Sequence, residues 1–268
     1  VNIDPADESA VSRLDTTKPH SARVWNYWLG GKDHYPADRE YGDQILEVHP
    51  GIVDLARAAR GFLRRAVGYL AGDMGIRQFL DIGTGLPTAD NTHEVAQRIA
   101  PDCRIVYTDN DPLVLVYARG LLTSTPEGAT AYLDADVRDP EKILTAAAKT
   151  LDFSQPIALV LSGVMGTIPD NDSAYAIVSQ LLDALAPGSY LVASDGTNTF
   201  QEAGAADRIS KNDGFGYHLR SPAEIAHFFD GLELVEPGVV SVSQWRPHPD
   251  PAGIPAGVHQ FGGVGRKP

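Results

Sequence analysis

Two short strings in this chain set acidic side chains beside turns that can face a ligand. The first is Phe79-Leu80-Asp81-Ile82-Gly83-Thr84-Gly85-Leu86-Pro87-Thr88. A strand is expected to end near Asp81, Gly83-Thr84-Gly85 makes a tight turn that lets backbone approach a bound molecule, and a helix follows. Thr88 stands where a dinucleotide fingerprint needs its third glycine, which argues against a pyrophosphate. Asp81 points the same way. A carboxylate there repels phosphate and suits a cationic or amine-bearing ligand, such as the methionyl part of S-adenosylmethionine. The second string is Val106-Tyr107-Thr108-Asp109-Asn110-Asp111-Pro112. An acid at the tip of a second strand can accept from both hydroxyls of a ribose. The alternative is that Asp109 and Asp111 only cap the next helix; the reading adopted gives Asp109 the ribose and Asp111 the cap. After a third strand, Asp134-Ala135-Asp136-Val137-Arg138 offers Asp136 to the exocyclic amine of adenine and Val137 to its ring, with Asp134 in a solvated turn.

The elements that would hold these residues follow from periodicity. From Gln78 onward, short apolar runs (78–82, 104–108, 129–133, 157–161, 190–194, 259–265) alternate with helical stretches (88–99, 112–122, 141–148, 173–185, 222–229). One further strand is expected over 232–242, broken at Pro237-Gly238. This alternation predicts an α/β fold with a mostly parallel sheet covered on both faces. Ligands then sit beyond the carboxyl ends of the strands, where Asp81 and Asp109 lie. Ahead of the sheet the chain reads as helical. Ser21 is the expected cap of a short helix stopped by Gly30-Gly31, and a second helix runs from Ala37 to Leu46. A long one from Ile52 to Ala71 sets Leu55, Ala59, Phe62, Ala66 and Leu70 on one face. The division expected is a mobile acidic lead over 1–18, a helical cap or lid over 19–74, and a ligand-binding core over 75–268.

Composition narrows the function classes. The net charge of −13 opposes sequence-blind nucleic-acid binding, for which lysine and arginine must dominate. The single cysteine, Cys103, excludes an internal disulfide and a cysteine-rich zinc site, and it fits a reducing, cytoplasmic compartment. No metal site is expected from the histidine spacings. No run of about 18 uncharged apolar residues is available to span a membrane.

The strand-tip residues carry a resemblance. Asp81 to Gly85, Asp109 and Asp136-Val137 resemble the first three cofactor motifs of class I S-adenosylmethionine-dependent methyltransferases. The string from Ser21 to Tyr35 (SARVWNYWLGGKDHY) is similar to the N-terminal signature of one bacterial family of S-adenosyl methyltransferases, formerly a domain of unknown function. So are Leu86-Pro87-Thr88, Asn91 to Ala96, and Tyr107 to Pro112. The resemblance covers residues 17 to 268. It implies a Rossmann-like, seven-stranded sheet with an antiparallel final strand, an N-terminal helical cap, and S-adenosylmethionine as cofactor. The cofactor set expected is Asp81, Gly83, Thr84, Gly85, Asp109, Asn110, Asp136, Val137 and Ser162, with Asn26 and Tyr27 from the N-terminal string. Two places depart from the family pattern: Met165-Gly166 stands where a Leu-His pair is expected, and Asp195 where a histidine is expected.

Methyl transfer from a sulfonium needs alignment and exclusion of water more than covalent help. A general base matters only if the nucleophile carries a proton that must leave early. The candidates for such a role are His34, His218 and Asp195. Trp25 and Trp28 either pack on the sheet or wall a small pocket, and Trp245-Arg246 lines a substrate mouth or anchors its loop by a cation–π contact. The leading function is methyl transfer to a small-molecule acceptor. The alternatives are a regulatory protein that binds the cofactor without turnover, and an NAD-dependent oxidoreductase, against which Thr88 and Asp81 speak.

Overall fold

A computed structural model describes residues 15–87, 90–121, 123–199, 216–251 and 253–268. Most of the acidic lead, together with Thr88, Gly214 and Phe215, lies outside the described residues.

Among the described residues three helices precede the sheet: α1 (Ser21–Trp28), α2 (Pro36–Val48) and α3 (Ile52–Gly72). Ser21 is the first helical residue of α1, and the N-cap position falls to His20. Gly30 ends that helix with a φ of 79°, a left-handed conformation that a side chain would strain. In α3 the apolar ridge expected from the sequence is buried, with Phe62, Ala66, Val67 and Leu70 fully covered.

Strands and helices then alternate. They run β1 (Gln78–Ile82), α4 (Thr92–Ile99), β2 (Arg104–Asp109), α5 (Pro112–Leu121), β3 (Ala129–Asp134), α6 (Pro140–Ala147), β4 (Ala158–Ser162), α7 (Asn171–Asp183), β5 (Tyr190–Gly196), α8 (Pro222–Ala226), β6 (Glu233–Leu234), β7 (Val240–Ser241) and β8 (Gln260–Arg266). Helix α4 begins four residues later than its periodicity suggested. Asn91 and Glu94 close a capping box there, with Glu94 Oε2 accepting from the Asn91 amide at 2.8 Å. The strand expected over 232–242 is interrupted at Pro237-Gly238 and leaves only the two-residue β6 and β7, so the sheet has eight strands rather than seven.

The order is β3-β2-β1-β4-β5-β8-β6, with β7 also paired to β8. Strands β1 to β5 are parallel and β8 is antiparallel to β5. Side chains alternate across the sheet. Leu80 and Ile82 of β1 enter an apolar cluster with Ile143, Val178 and Leu181 on one face. Phe79 enters another with Phe62, Leu70 and Trp245 on the other. Asp81 shares the parity of Phe79, so it points toward α3 and α4. Trp245 is fully buried, edge-on to Phe62 at 5.5 Å, and Arg246 stacks over Tyr69 at 4.2 Å; this pair anchors its loop. No helix among the described residues is long and apolar enough to cross a membrane.

Candidate functional site

The tips of β1, β2 and β3 bring three carboxylates to one end of the sheet. After β1 the chain reverses through Gly83 (φ 73°) and Gly85 (φ 68°). A Cβ on Gly83 would stand 2.5 Å from the Val164 side chain, so the close approach as well as the dihedral requires glycine. The Gly83 amide donates to Thr108 O at 2.8 Å, and the Gly85 amide to Asp109 Oδ2 at 2.8 Å, which ties the turn to β2. Asp109 Oδ1 accepts from the Asp111 amide at 2.9 Å. Asp81 Oδ2 accepts from the Thr92 hydroxyl at 2.6 Å. Burial pushes the Asp81 carboxyl up to about 6, opposed by the Thr92 hydrogen bond and by Arg60 of α3. Burial also raises Asp109. Asp136 is held by the Asn110 amide nitrogen at 2.9 Å and by Arg138 at 2.9 and 3.1 Å.

A helical roof covers these tips. Arg23 of α1 is 3% exposed and lies between two buried acids, 3.5 Å from Asp111 and 3.7 Å from Asp38. His20 Nδ1 meets Asp111 Oδ2 at 3.0 Å. Asp111 therefore caps α5, accepting from the Leu113 amide at 2.9 Å, and also fastens the roof to the loop that carries Asp109. Asn26 is buried and accepts from the Asp33 amide at 3.0 Å. A Cβ at Gly31 would lie within 2.3 Å of its amide oxygen, which accounts for a second glycine after the helix. Tyr117 on α5 donates to Asp33 at 2.6 Å, a second fastening.

Between roof and sheet lies a cavity of about 370 Å³. Its wall includes Asp81, Gly83, Thr84, Gly85, Asp109, Asn110, Asp136, Val137, Ser162 and Asn26, ten of the eleven residues expected to meet the cofactor. Tyr27 is the exception. Its hydroxyl donates to Asp43 at 2.6 Å and its ring meets His34 edge-on, outside the wall. His34 bonds Gly31 O at 3.1 Å and Arg39 at 3.2 Å, also outside it. His218 does not line the wall: its neighbours Tyr217 and Leu219 do, and the His218 amide donates to Gly166 O at 2.6 Å. Asp195 does not line the wall either and sits directly behind it.

The other half of this wall was reached by sequence reasoning only at Trp25 and Trp28, for which a pocket wall was one of two readings. Trp25 and Trp28, edge-to-face at 5.7 Å, line it with Ile45, Leu55 and Leu219. His49 and His259 meet there at 5.7 Å, and burial pushes His49 down to about 4, so it is neutral at ordinary pH. Tyr217 stacks where a Cβ on Gly166 would be 2.2 Å from its ring, and its hydroxyl donates to Asp195 Oδ1 at 2.5 Å. Burial raises Asp195 to about 6. Gln260 of β8 reaches Ser194 at 3.1 Å, which in turn meets Ser162 at 3.0 Å. The small residue in Met165-Gly166 was visible as a departure, but only the fold shows that an aromatic ring fills the space. No cluster of three or more metal-ligating side chains occurs among the described residues.

The donor set fits S-adenosylmethionine. A buried carboxylate at Asp81 suits an ammonium, Asp109 suits a diol, and Val137 beside Asp136 suits a purine edge. Comparisons agree. A family profile described as S-adenosyl methyltransferase matches residues 7–268. The solved structure of a DUF574 family protein from Streptomyces avermitilis is 48% identical, with 96% of this chain and 100% of that one covered and a TM-score of 0.88. A candidate methyltransferase from Thermobifida fusca is 43% identical over 94% of this chain and 96% of that one, with a TM-score of 0.85. The carboxy-S-adenosyl-L-methionine synthase of Trichlorobacter lovleyi is 25% identical over 165 residues; the match spans 60% of this chain and 63% of that protein.

Proposed function

Because this chain belongs to the S-adenosyl methyltransferase family, we propose that it moves the sulfonium methyl of S-adenosylmethionine onto a small-molecule acceptor held against the aromatic half of the cavity. One observation carries this reading: a single cavity joins the three strand-tip carboxylates to a wall of tryptophan, isoleucine and leucine from the helical roof. When bound, S-adenosylmethionine supplies an electrophilic methyl carbon next to a positive sulfur. Asp81 accepts from the amino-acid ammonium, Asp109 from the ribose hydroxyls, and Asp136 from the adenine amine, with Val137 against the ring. These contacts fix the donor's orientation, and the roof excludes water while the acceptor is aligned. The apolar lining, a net charge of −13 and the enclosed shape favour a small uncharged acceptor over a nucleic acid.

The test is calorimetric titration with S-adenosylhomocysteine, the demethylated product. Micromolar binding is expected for the wild type and none measurable for Asp81→Ala or Asp109→Ala. Wild-type affinity in both variants would end the assignment of these carboxylates. Mass spectrometry of an acceptor panel incubated with the methyl donor then reads turnover.

A further inference from the structure

We propose that Tyr217 and Asp195 form a proton-accepting pair for the acceptor, and that the acceptor therefore presents a hydroxyl, in the manner of a phenol, on an otherwise apolar body. This rests on the methyl-transfer reading above and names its substrate class.

The geometry is specific. Tyr217 and Gly196 both line the cavity, and the Gly196 amide donates to Tyr217 Oη at 3.4 Å, which sets the hydroxyl beside the wall at Gly196. Its proton points away from the cavity, donated to Asp195 Oδ1 at 2.5 Å. The same carboxylate oxygen accepts from the Gly166 amide at 3.1 Å. Asp195 is 1% exposed. The ring is seated between Gly166 and Gly196, where any larger residue at 166 would collide with it. Arg220, fully buried, donates to Met165 O, Ile168 O and Asp170 O at 2.8, 3.0 and 3.2 Å. It fixes the turn that holds Gly166 under the ring. A cavity-lining tyrosine held this firmly on a buried carboxylate, with its oxygen beside Gly196 of the wall, has the form of a relay. Ser162, Ser194 and Gln260 are already bonded to one another in a separate chain.

The step balances. As the acceptor oxygen bonds to the methyl carbon and the carbon–sulfur bond breaks, its electron pair stays on sulfur. The acceptor's O–H proton passes to Tyr217 Oη, and the tyrosine proton passes to Asp195 Oδ1. Asp195 then returns a proton to solvent on product release. An amine would not need this relay, since a neutral amine attacks with its own lone pair and loses its proton afterwards. The groups acting on Asp195 are Tyr217 and Arg220, with backbone amides of Met165 and Gly166. Burial holds it near 6, so it is ionised and able to accept above that pH.

The experiment compares 4-nitrophenol with 4-nitrothiophenol as acceptors, at a pH where the phenol keeps its proton and the thiophenol has lost it. Wild type and Tyr217→Phe are used, the latter keeping the ring over Gly166. Phenol methylation by the variant should fall by about 10²-fold or more, while thiophenol methylation and S-adenosylhomocysteine affinity stay within threefold. With S-adenosylmethionine kept saturating at every pH, the wild-type rate with the phenol should decline tenfold per pH unit below about 6, a slope absent for the thiophenol. Equal losses with both acceptors, or none with either, would overturn the inference. So would a wild type that binds S-adenosylhomocysteine yet methylates no phenol, a result that leaves the donor site intact. Absence of S-adenosylhomocysteine binding would instead overturn the methyl-transfer reading itself.

Discussion

Ligand binding should expel a proton from Asp81. Burial holds this carboxyl at about 6 against an ordinary value of 3.8. An ammonium lodged against it favours the ionised form and draws the value back down. Returning it fully to 3.8 corresponds to about 3 kcal/mol. The sign follows from proton counting. Below 6 the free protein carries a proton on Asp81 that the complex lacks, so binding weakens as pH falls. The free carboxyl is about one-tenth protonated at pH 7 and about nine-tenths at pH 5. S-adenosylhomocysteine affinity should therefore drop about tenfold between those values, with about 0.9 proton released per molecule bound at pH 5 and about 0.1 at pH 7. Calorimetry in buffers of different ionisation enthalpy reads that proton directly. Asp109, also raised by burial, acts in the same sense, so Asp81→Asn should remove most of the release but not all of it. Heats independent of buffer, together with equal affinity at both pH values, would refute the electrostatic account of the strand-tip acids.

Two further outcomes follow from packing. Gly166→Ala places a methyl 2.2 Å from the Tyr217 ring; overpacking of this kind costs about 1–3 kcal/mol, so a drop in Tm of several degrees is expected with S-adenosylhomocysteine affinity kept within twofold. Asp111→Ala removes a buried partner of Arg23 and should cost about 3 kcal/mol in denaturant unfolding, with hydrogen exchange accelerating in residues 21–28 more than in β1.

The strand-tip half of the cavity wall was legible because it is local. A strand, a Gly-x-Gly turn and an acid at each strand tip lie within a few residues of one another, and the chemistry of each is fixed by its place in the element. The mostly parallel sheet followed from the alternation and its antiparallel last strand from the resemblance to the methyltransferases, whereas the strand order came from the fold alone. The aromatic half of the wall was largely not legible, because its residues come from α1 to α3, the segment after residue 215, and β8. His49 and His259 each looked like an isolated loop or strand histidine; their meeting is a product of tertiary packing. Tyr217 gave no signal, since nothing in Gly216-Tyr217-His218 says which side chain turns inward. His218 was singled out because its glycine-rich stretch before α8 could face a substrate, but its neighbours Tyr217 and Leu219 line the cavity instead. The two tryptophans were read chiefly as packing residues, and they serve as both packing and wall.

Helix α3 is synthesised long before its seat exists. Arg65 Nε donates to Trp245 O at 2.8 Å across 180 positions of chain, and Arg65 Nη2 to Val242 O at 2.6 Å. The ring of Phe62 waits for the same tryptophan. Emerging from the ribosome, the amphipathic rod is covered first by β1, α4 and β2, and the part of its apolar stripe around Phe62 and Arg65 waits for the closing strands of the sheet. The nascent polypeptide thus gains its strand-tip acids early and its enclosure late: a chain halted before residue 259 would expose the donor groove to water and leave the aromatic chamber without its far side.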